Sequence, residues 1–226
     1  MTTLAQLTQQ CRNLIGDWSS TYYTEAILYD YINRGVEEFS KYFPLVSEYA
    51  LSTTLNTRMY DLEADFLEAI SVEYPTGENP PKYLLRRSYT HPNFWIENGY
   101  YDIVPSHDAT STNPTQIYIS QKPAASQTIT VKYHAMHPAL TASSDVCTVP
   151  AHLIHLIGLF VRWKVWQEIA TAEGMDPDQT KLLAATQEVN STRAERIYRT
   201  ALKEAQATFV ESAQVHWKMD KHDHVY

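Results

Sequence analysis

Glycine is scarce and cysteine nearly absent, at six and two residues in a chain of 226. The glycines stand singly, so no loop can cradle a phosphate with successive backbone N–H groups. No P-loop, G-x-G-x-x-G, G-x-S-x-G or H-E-x-x-H pattern occurs. Cys11 and Cys147 are far apart and each lies in apolar surroundings, which reads as two buried, reduced thiols. Basic residues are in the minority, 18 against 26 acids, for a formal net charge of −8. Non-specific nucleic-acid binding is therefore not the expectation. Long apolar runs are missing too. The greasiest stretch is broken by His155 and Arg162 and is too short to span a bilayer. The opening MTTLAQL has neither the basic nor the apolar region of a signal peptide.

What is present is architecture. The chain is 44% hydrophobic, enough for one or two domains with a real core. Sixteen tyrosines, most of them before residue 134, offer contact area with a polar tip. The rest is organised around Asp145–Ala170, DVCTVPAHLIHLIGLFVRWKVWQEIA. Thr148 is a plausible N-cap, and Pro150 sits where the first turn of a helix tolerates proline. Leu153, Ile154, Leu156, Ile157, Leu159, Phe160 and Val161 leave little polar face, which predicts a buried helix over Val149–Ile169.

Before it, Thr3–Gln6 forms a capping-box pattern, and Leu4, Leu7, Cys11, Leu14 and Ile15 recur at helical spacing up to Gly16. A second helix is predicted from Thr24 with Ile27, Leu28, Tyr31, Ile32, Val36 and Phe39 on its apolar face, stopped by Pro44. The period then shifts to alternation: Tyr49, Leu51, Thr53 and Leu55; Met59–Leu62 after a turn at Asn56-Thr57; Ile70, Val72 and Tyr74; Tyr100–Val104. Phe94 and Trp95 are expected to pack against the sheet. Gln116–Ser120 and Thr128–Tyr133 read as a hairpin. After Gly174 and Asp176-Pro177, residues 178–211 read as one long helix with Ala194, Tyr198, Ala201, Ala205 and Phe209 inward, and 212–226 as a polar tail. The expected fold is α+β: an antiparallel helical bundle of about four helices, residues 1–45 and 138–211, with an inserted β-sandwich or barrel-like domain, 46–137, and a C-terminal arm.

No constellation carries chemistry. Asp61, Glu63 and Asp65 alternate as a calcium loop begins, but Phe66 and Val72 stand where such a loop needs glycine and glutamate. His152 and His155 make half a zinc site without companions at helical spacing. His216, His222 and His224 fall in the tail. No catalytic residue, metal or cofactor is expected. Tyr31, Trp163, Trp166 and Tyr198 are candidate subunit-interface anchors, and Arg86-Arg87, the one adjacent basic pair, is a strand-end feature suited to an acidic partner.

The order of the pieces resembles the head-to-tail adaptor, or connector, proteins of tailed bacteriophages. The resemblance rests on Ile32-Asn33 within Glu25–Pro44, on the Y-x-L-x-x-D-F-L run Tyr60–Leu67, and on the L-T-x-x-x-D-x-x-x-V-P run Leu140–Pro150. It covers the chain to about residue 211; Glu63-Ala64 departs from the proline common before the Asp. It implies a structural virion protein in the neck, assembled in the bacterial cytoplasm. That protein would be a ring of about twelve copies, set by portal symmetry, with DNA passing through it unbound and no membrane contact. Its partners would be the portal and a tail or stopper protein. The tail would reach the portal through Trp217, Lys218, Lys221, His222 and Tyr226. The rival readings are a stopper or tail-terminator protein and, from another class, a carbohydrate-binding module with Trp95, Tyr100 and Tyr101 as its platform.

Overall fold

The computed structural model describes residues 2–17, 22–106, 115–124, 127–174 and 181–220, with backbone alone at 172–174, 181–185 and 209–220. Among these residues the fold is α+β, with four helices and two sheets and no closed barrel. Two compact units result: Met1–Tyr42 with Pro138–Tyr226, and Phe43–His137.

In the first unit, α1 (Leu4–Ile15) starts at the expected capping box. Gln6 N–H donates to the Thr3 hydroxyl at 3.3 Å, and Thr3 N–H to the Gln6 side chain at 3.0 Å. Gly16 ends it with φ 81°, a left-handed turn that only glycine adopts without strain. Helix α2 (Glu25–Ser40) is capped by Thr24 and buries Leu28, Ile32, Val36 and Phe39. Ile27, expected on the same face, is 41% exposed, so the buried stripe is narrower than the sequence pattern.

Helix α3 (His155–Gly174) touches each of the other three helices. Two glycines let backbones close in. A Cβ on Gly35 of α2 would lie 3.1 Å from Phe160 and 3.2 Å from Ile157, and one on Gly158 of α3 would lie 2.7 Å from Leu14. The start of α3 corrects the sequence reading. Burial of Cys147 and Val149, with Cys147 N–H bonded to the Thr2 carbonyl, holds the approach outside the helix. Tight three-residue turns follow: Leu153 N–H donates to the Pro150 carbonyl and Leu156 N–H to that of Leu153, both at 2.9 Å. Pro150 thus opens a turn that precedes the helix, and Thr148 does not cap α3.

Helix α4 (Lys181–Asp220) runs 40 residues, about 60 Å at 1.5 Å per residue. It continues past residue 211, where the sequence reading stopped, because neither glycine nor proline occurs after Pro177. Ala194, Tyr198 and Leu202 are buried on its inner face.

The second unit holds β1 (Leu45–Ser52), β2 (Met59–Asp61), β3 (Phe66–Glu73), β4 (Leu85–Arg86), β5 (Tyr100–Pro105), β6 (Thr115–Ile119) and β7 (Thr128–Ala135). One sheet has the order β1-β7-β3, the other β2-β6-β5-β4. A single apolar cluster draws on both: Leu51, Val72, Ile129 and Val131 from the first, Tyr101, Ile117 and Ile119 from the second. The expected β6–β7 hairpin does not form. Strand β6 pairs with β2 and β5, and β7 with β1 and β3, so the chain changes sheet between them. Ile70, expected inside with Val72 and Tyr74, is 44% exposed. Register shifts at Phe66/Glu68 and Ala69/Ser71 are the cause, since each extra residue reverses the alternation. Leu55 is also outside, 60% exposed beyond the end of β1, beside the turn at Asn56 with φ 62°.

Candidate functional site

The three motifs noted in the sequence are locks within the two units. Asn33 of α2 grips both main-chain groups of Leu140: the side-chain amide donates to the Leu140 carbonyl at 2.9 Å, and the Leu140 N–H donates to the Asn33 side-chain oxygen at 2.8 Å. Five residues on, the Asp145 carboxylate accepts the Thr141 and Ala142 N–H groups at 2.7 and 2.8 Å. Those bonds hold its carboxyl below the usual carboxylate range. The same segment receives the start of α1, with Leu4 N–H on the Asp145 carbonyl and Ala5 N–H on that of Ser143. The first two motifs therefore tie α2, α1 and the approach to α3 together. The third works inside the β unit. Asp65 accepts the Tyr133 hydroxyl at 3.0 Å, its carbonyl accepts Met136 N–H at 2.8 Å, and Phe66 stacks on Tyr133 at 5.3 Å. Leu62 is fully buried.

The candidate interface anchors divide by exposure. Tyr198 of α4 is 4% exposed; it stacks on Trp163 of α3 at 5.8 Å and meets Phe160 edge-on at 5.6 Å. It joins two helices of its own chain and has little surface left to offer. Burial, with the nearby Glu38 and Tyr42, pushes its phenol upward. Trp163 is half-buried under Lys164, whose ammonium lies 4.0 Å from the ring centre. Tyr31 donates to the Glu168 carboxylate, an α2–α3 tie; burial and then that bond raise its phenol. Trp166 is half-buried on a cavity of about 560 Å³ that Ile15, Tyr22, Tyr23, Val165 and Ile169 also line. Trp217 and Lys218 lie on α4 where the backbone alone is described, and Lys221, His222 and Tyr226 lie outside the described residues.

Sequence reading missed the buried ion pair. Arg12, 5% exposed on the inner side of α1, donates to Asp17 at 2.9 Å and to the Tyr23 carbonyl at 2.9 Å. The signal was an arginine in the stripe that holds Leu4, Leu7 and Cys11.

The chemistry of the site is sparse. Burial pushes the Cys11 thiol up to about 12 and raises that of Cys147, so neither forms a ready thiolate. His155 Nδ1 lies 3.0 Å from the His152 carbonyl, a local turn contact. Among the described residues no three His, Cys, Asp or Glu cluster as a metal site would need, and no helix is long and apolar enough to cross a membrane. The sugar-platform rings do not share one face. Tyr101 is 6% exposed in the core, Tyr100 lies under the Arg87 guanidinium at 3.6 Å, and Trp95 stands edge-on to Tyr118. Phe94, beside it, is fully buried as expected.

The family model described as SU10 adaptor protein covers residues 2–214. No curated protein matches the chain.

Proposed function

The chain belongs to the SU10 adaptor protein family, a family of phage head-to-tail adaptors, and from that premise we propose that it forms a ring between the portal and the tail. It is a structural component of the phage particle. In our reading, residues 1–45 and 138–211 form a helical bundle whose copies pack side by side, and 46–137 is an inserted β domain. The ring closes by a heterologous, head-to-tail contact repeated around one axis, about twelve times if it follows the portal. The observation that carries this is the family match over nearly the whole chain.

Three features support it. Helix α4, at 40 residues against 20 for α3, is long enough to serve as a projecting rod. Trp163 and Trp166 retain exposed surface for a neighbour, and tryptophan is favoured where binding energy concentrates. The net charge of −8 suits a channel that DNA must pass without sticking, because phosphate contacts dominate DNA affinity. The C-terminal arm, through Trp217, Lys218, Lys221, His222 and Tyr226, is proposed to reach the portal. A tail or stopper protein docks on the other side, and assembly takes place in the host cytoplasm.

The test is to mix the purified chain with the portal ring of the same phage and image the product by electron microscopy. A second ring stacked on the portal is the expected result, lost when the chain is cut after residue 211. A chain that stays monomeric in the presence of its portal would overturn the reading.

A further inference from the structure

We propose that neighbouring copies join edge to edge through their β units, the segment Lys82–Arg87 of one copy packing against β1 of the next; this rests on the ring reading above. Among the described residues, β1 is the one long edge of the four with nothing bonded along its outer side. Strands β2 and β4 have three and two residues. Strand β3 carries two register shifts, and its outer side is taken: Tyr74 N–H donates to the Lys82 carbonyl at 2.9 Å and Leu84 N–H to the Val72 carbonyl at 2.8 Å. Strand β1 runs eight residues in unbroken register with β7.

Hydrogen bonds on both sides of β7 identify the free groups. Thr76 N–H donates to the Thr128 carbonyl and Met136 N–H to that of Asp65, so even-numbered residues of β7 face β3. Thr53 N–H donates to the Gln127 carbonyl on the other side. Odd-numbered residues of β1 therefore bond to β7, and the N–H and C=O groups of Val46, Glu48, Ala50 and Ser52 point away from the sheet. All four residues are exposed, Val46 by 59%. Edges of this length are normally blunted by a bulge, a proline or several charges. Strand β1 has one charge, Glu48, which makes no ion pair among the described residues.

The complementary edge lies on the opposite side of the same unit. The segment after β3 runs beside β3 at Lys82–Leu84 and beside β5 at Leu85–Arg86, closing one side of both sheets and leaving β1 and β2 on the other. Tyr83 is 59% exposed there and Leu85 66%. Lys82 is paired with Glu78 and Arg87 with Glu97, while Arg86 makes no ion pair among the described residues. One side thus offers apolar side chains and an unspent cation; the other offers Val46, Glu48 and, on β2, Asp61. A ring needs two different surfaces that match, whereas a two-fold pairing of β1 with itself would bring one Glu48 towards another. Lys82 C=O and Leu84 N–H are bonded to β3 and the Leu85 and Arg87 N–H groups to the β5 side, so Tyr83 and Arg86 would supply the main-chain bonds to β1, and the Arg86 guanidinium against the carboxylates would supply the register.

The test uses the full chain, with sedimentation over a concentration series and thermal unfolding to verify each fold. Arg86→Glu and Glu48→Arg should each weaken self-association about tenfold or more. The two together should return to within about threefold of wild type, because the charges are exchanged. Ala50→Pro removes an outward N–H and no bond to β7, and should weaken association as much. Oxidised Ala50→Cys/Tyr83→Cys should yield a ladder of covalent multimers. Copies that assemble, alone or on the portal, with all these variants behaving as wild type and no cross-link, would overturn edge pairing and leave the ring standing. A chain that never self-associates, even on the portal, would overturn the ring and this contact with it.

Discussion

Replacing Asp17 by alanine should cost far more than removing any other ion-paired carboxylate described here. The pair it forms with Arg12 is desolvated on both sides, with side chains 6% and 3% exposed. Asp17 also accepts Tyr23 N–H at 3.1 Å, and Arg12 also binds the Tyr23 carbonyl, so the pair fastens Tyr23 to α1. Deleting the carboxylate leaves a guanidinium buried with one neutral acceptor. Breaking a buried pair in this way costs about 3–5 kcal/mol, a large part of the roughly 5–15 kcal/mol that holds a domain folded. With a urea slope of roughly 2 kcal/mol/M, the unfolding midpoint should fall by about 2 M. Arg12→Met with Asp17→Leu should lose much less than the single changes combined, since no orphan charge remains. Asp30→Ala is the control: its pair with Arg34 has side chains 56% and 63% exposed, and no measurable change is expected. A loss below about 1 kcal/mol for Asp17→Ala would show that water reaches the pair, and would refute the reasoning.

Two further outcomes follow from packing and burial. His137 is 6% exposed with Nε2 3.0 Å from the Phe43 carbonyl, and burial lowers its pKa. The unfolded chain then binds the proton more readily, so stability should fall as pH drops below about 6.5, and unfolding midpoints of His137→Gln should change less across that window. The two interhelical glycines should respond with opposite signs. Gly35→Ala crowds the buried Phe160 and Ile157 and should lower the melting temperature, whereas Gly158→Ala meets only the tip of Leu14, 41% exposed and able to swing aside, and should gain up to about 1 kcal/mol of helix propensity.

Helices were legible because caps and periodicity are local. Thr3, Gly16 and Thr24 mark boundaries that the structure keeps. The errors lie where a distant contact overrides the local signal. Pro150 resembled a first-turn proline until the burial of Cys147 and Val149 delayed the helix. Ile70 alternated correctly with Val72 until the bulges of β3 turned it outward. Asn33 looked like one polar residue on α2, and nothing in its neighbourhood pointed to Leu140, 107 positions away. The family motifs marked residues that hold the units in shape, through bonds within the chain.

The misread hairpin shows why an assembly protein conceals its function more fully than an enzyme does. Alternation along β6 and β7 correctly put Ile117, Ile119, Ile129 and Val131 inside. It carries no information on which sheet a strand joins, because inward residues of either sheet meet the same core. Had β6 and β7 paired, neither could have occupied the centre of its own sheet, and β1 would not have been left at an edge. Strand order makes β1 an edge, and main-chain bonds to β3 and β5 set the Lys82–Arg87 segment on the opposite side. An edge is recognised by backbone groups that every residue possesses, so its only trace in the sequence is the protection it lacks. In this chain that trace is slight: eight residues with one charge, and, some forty positions further on, an arginine without an ion pair among the described residues. The surfaces by which copies would meet are properties of topology, and topology is the level at which a single sequence is hardest to read.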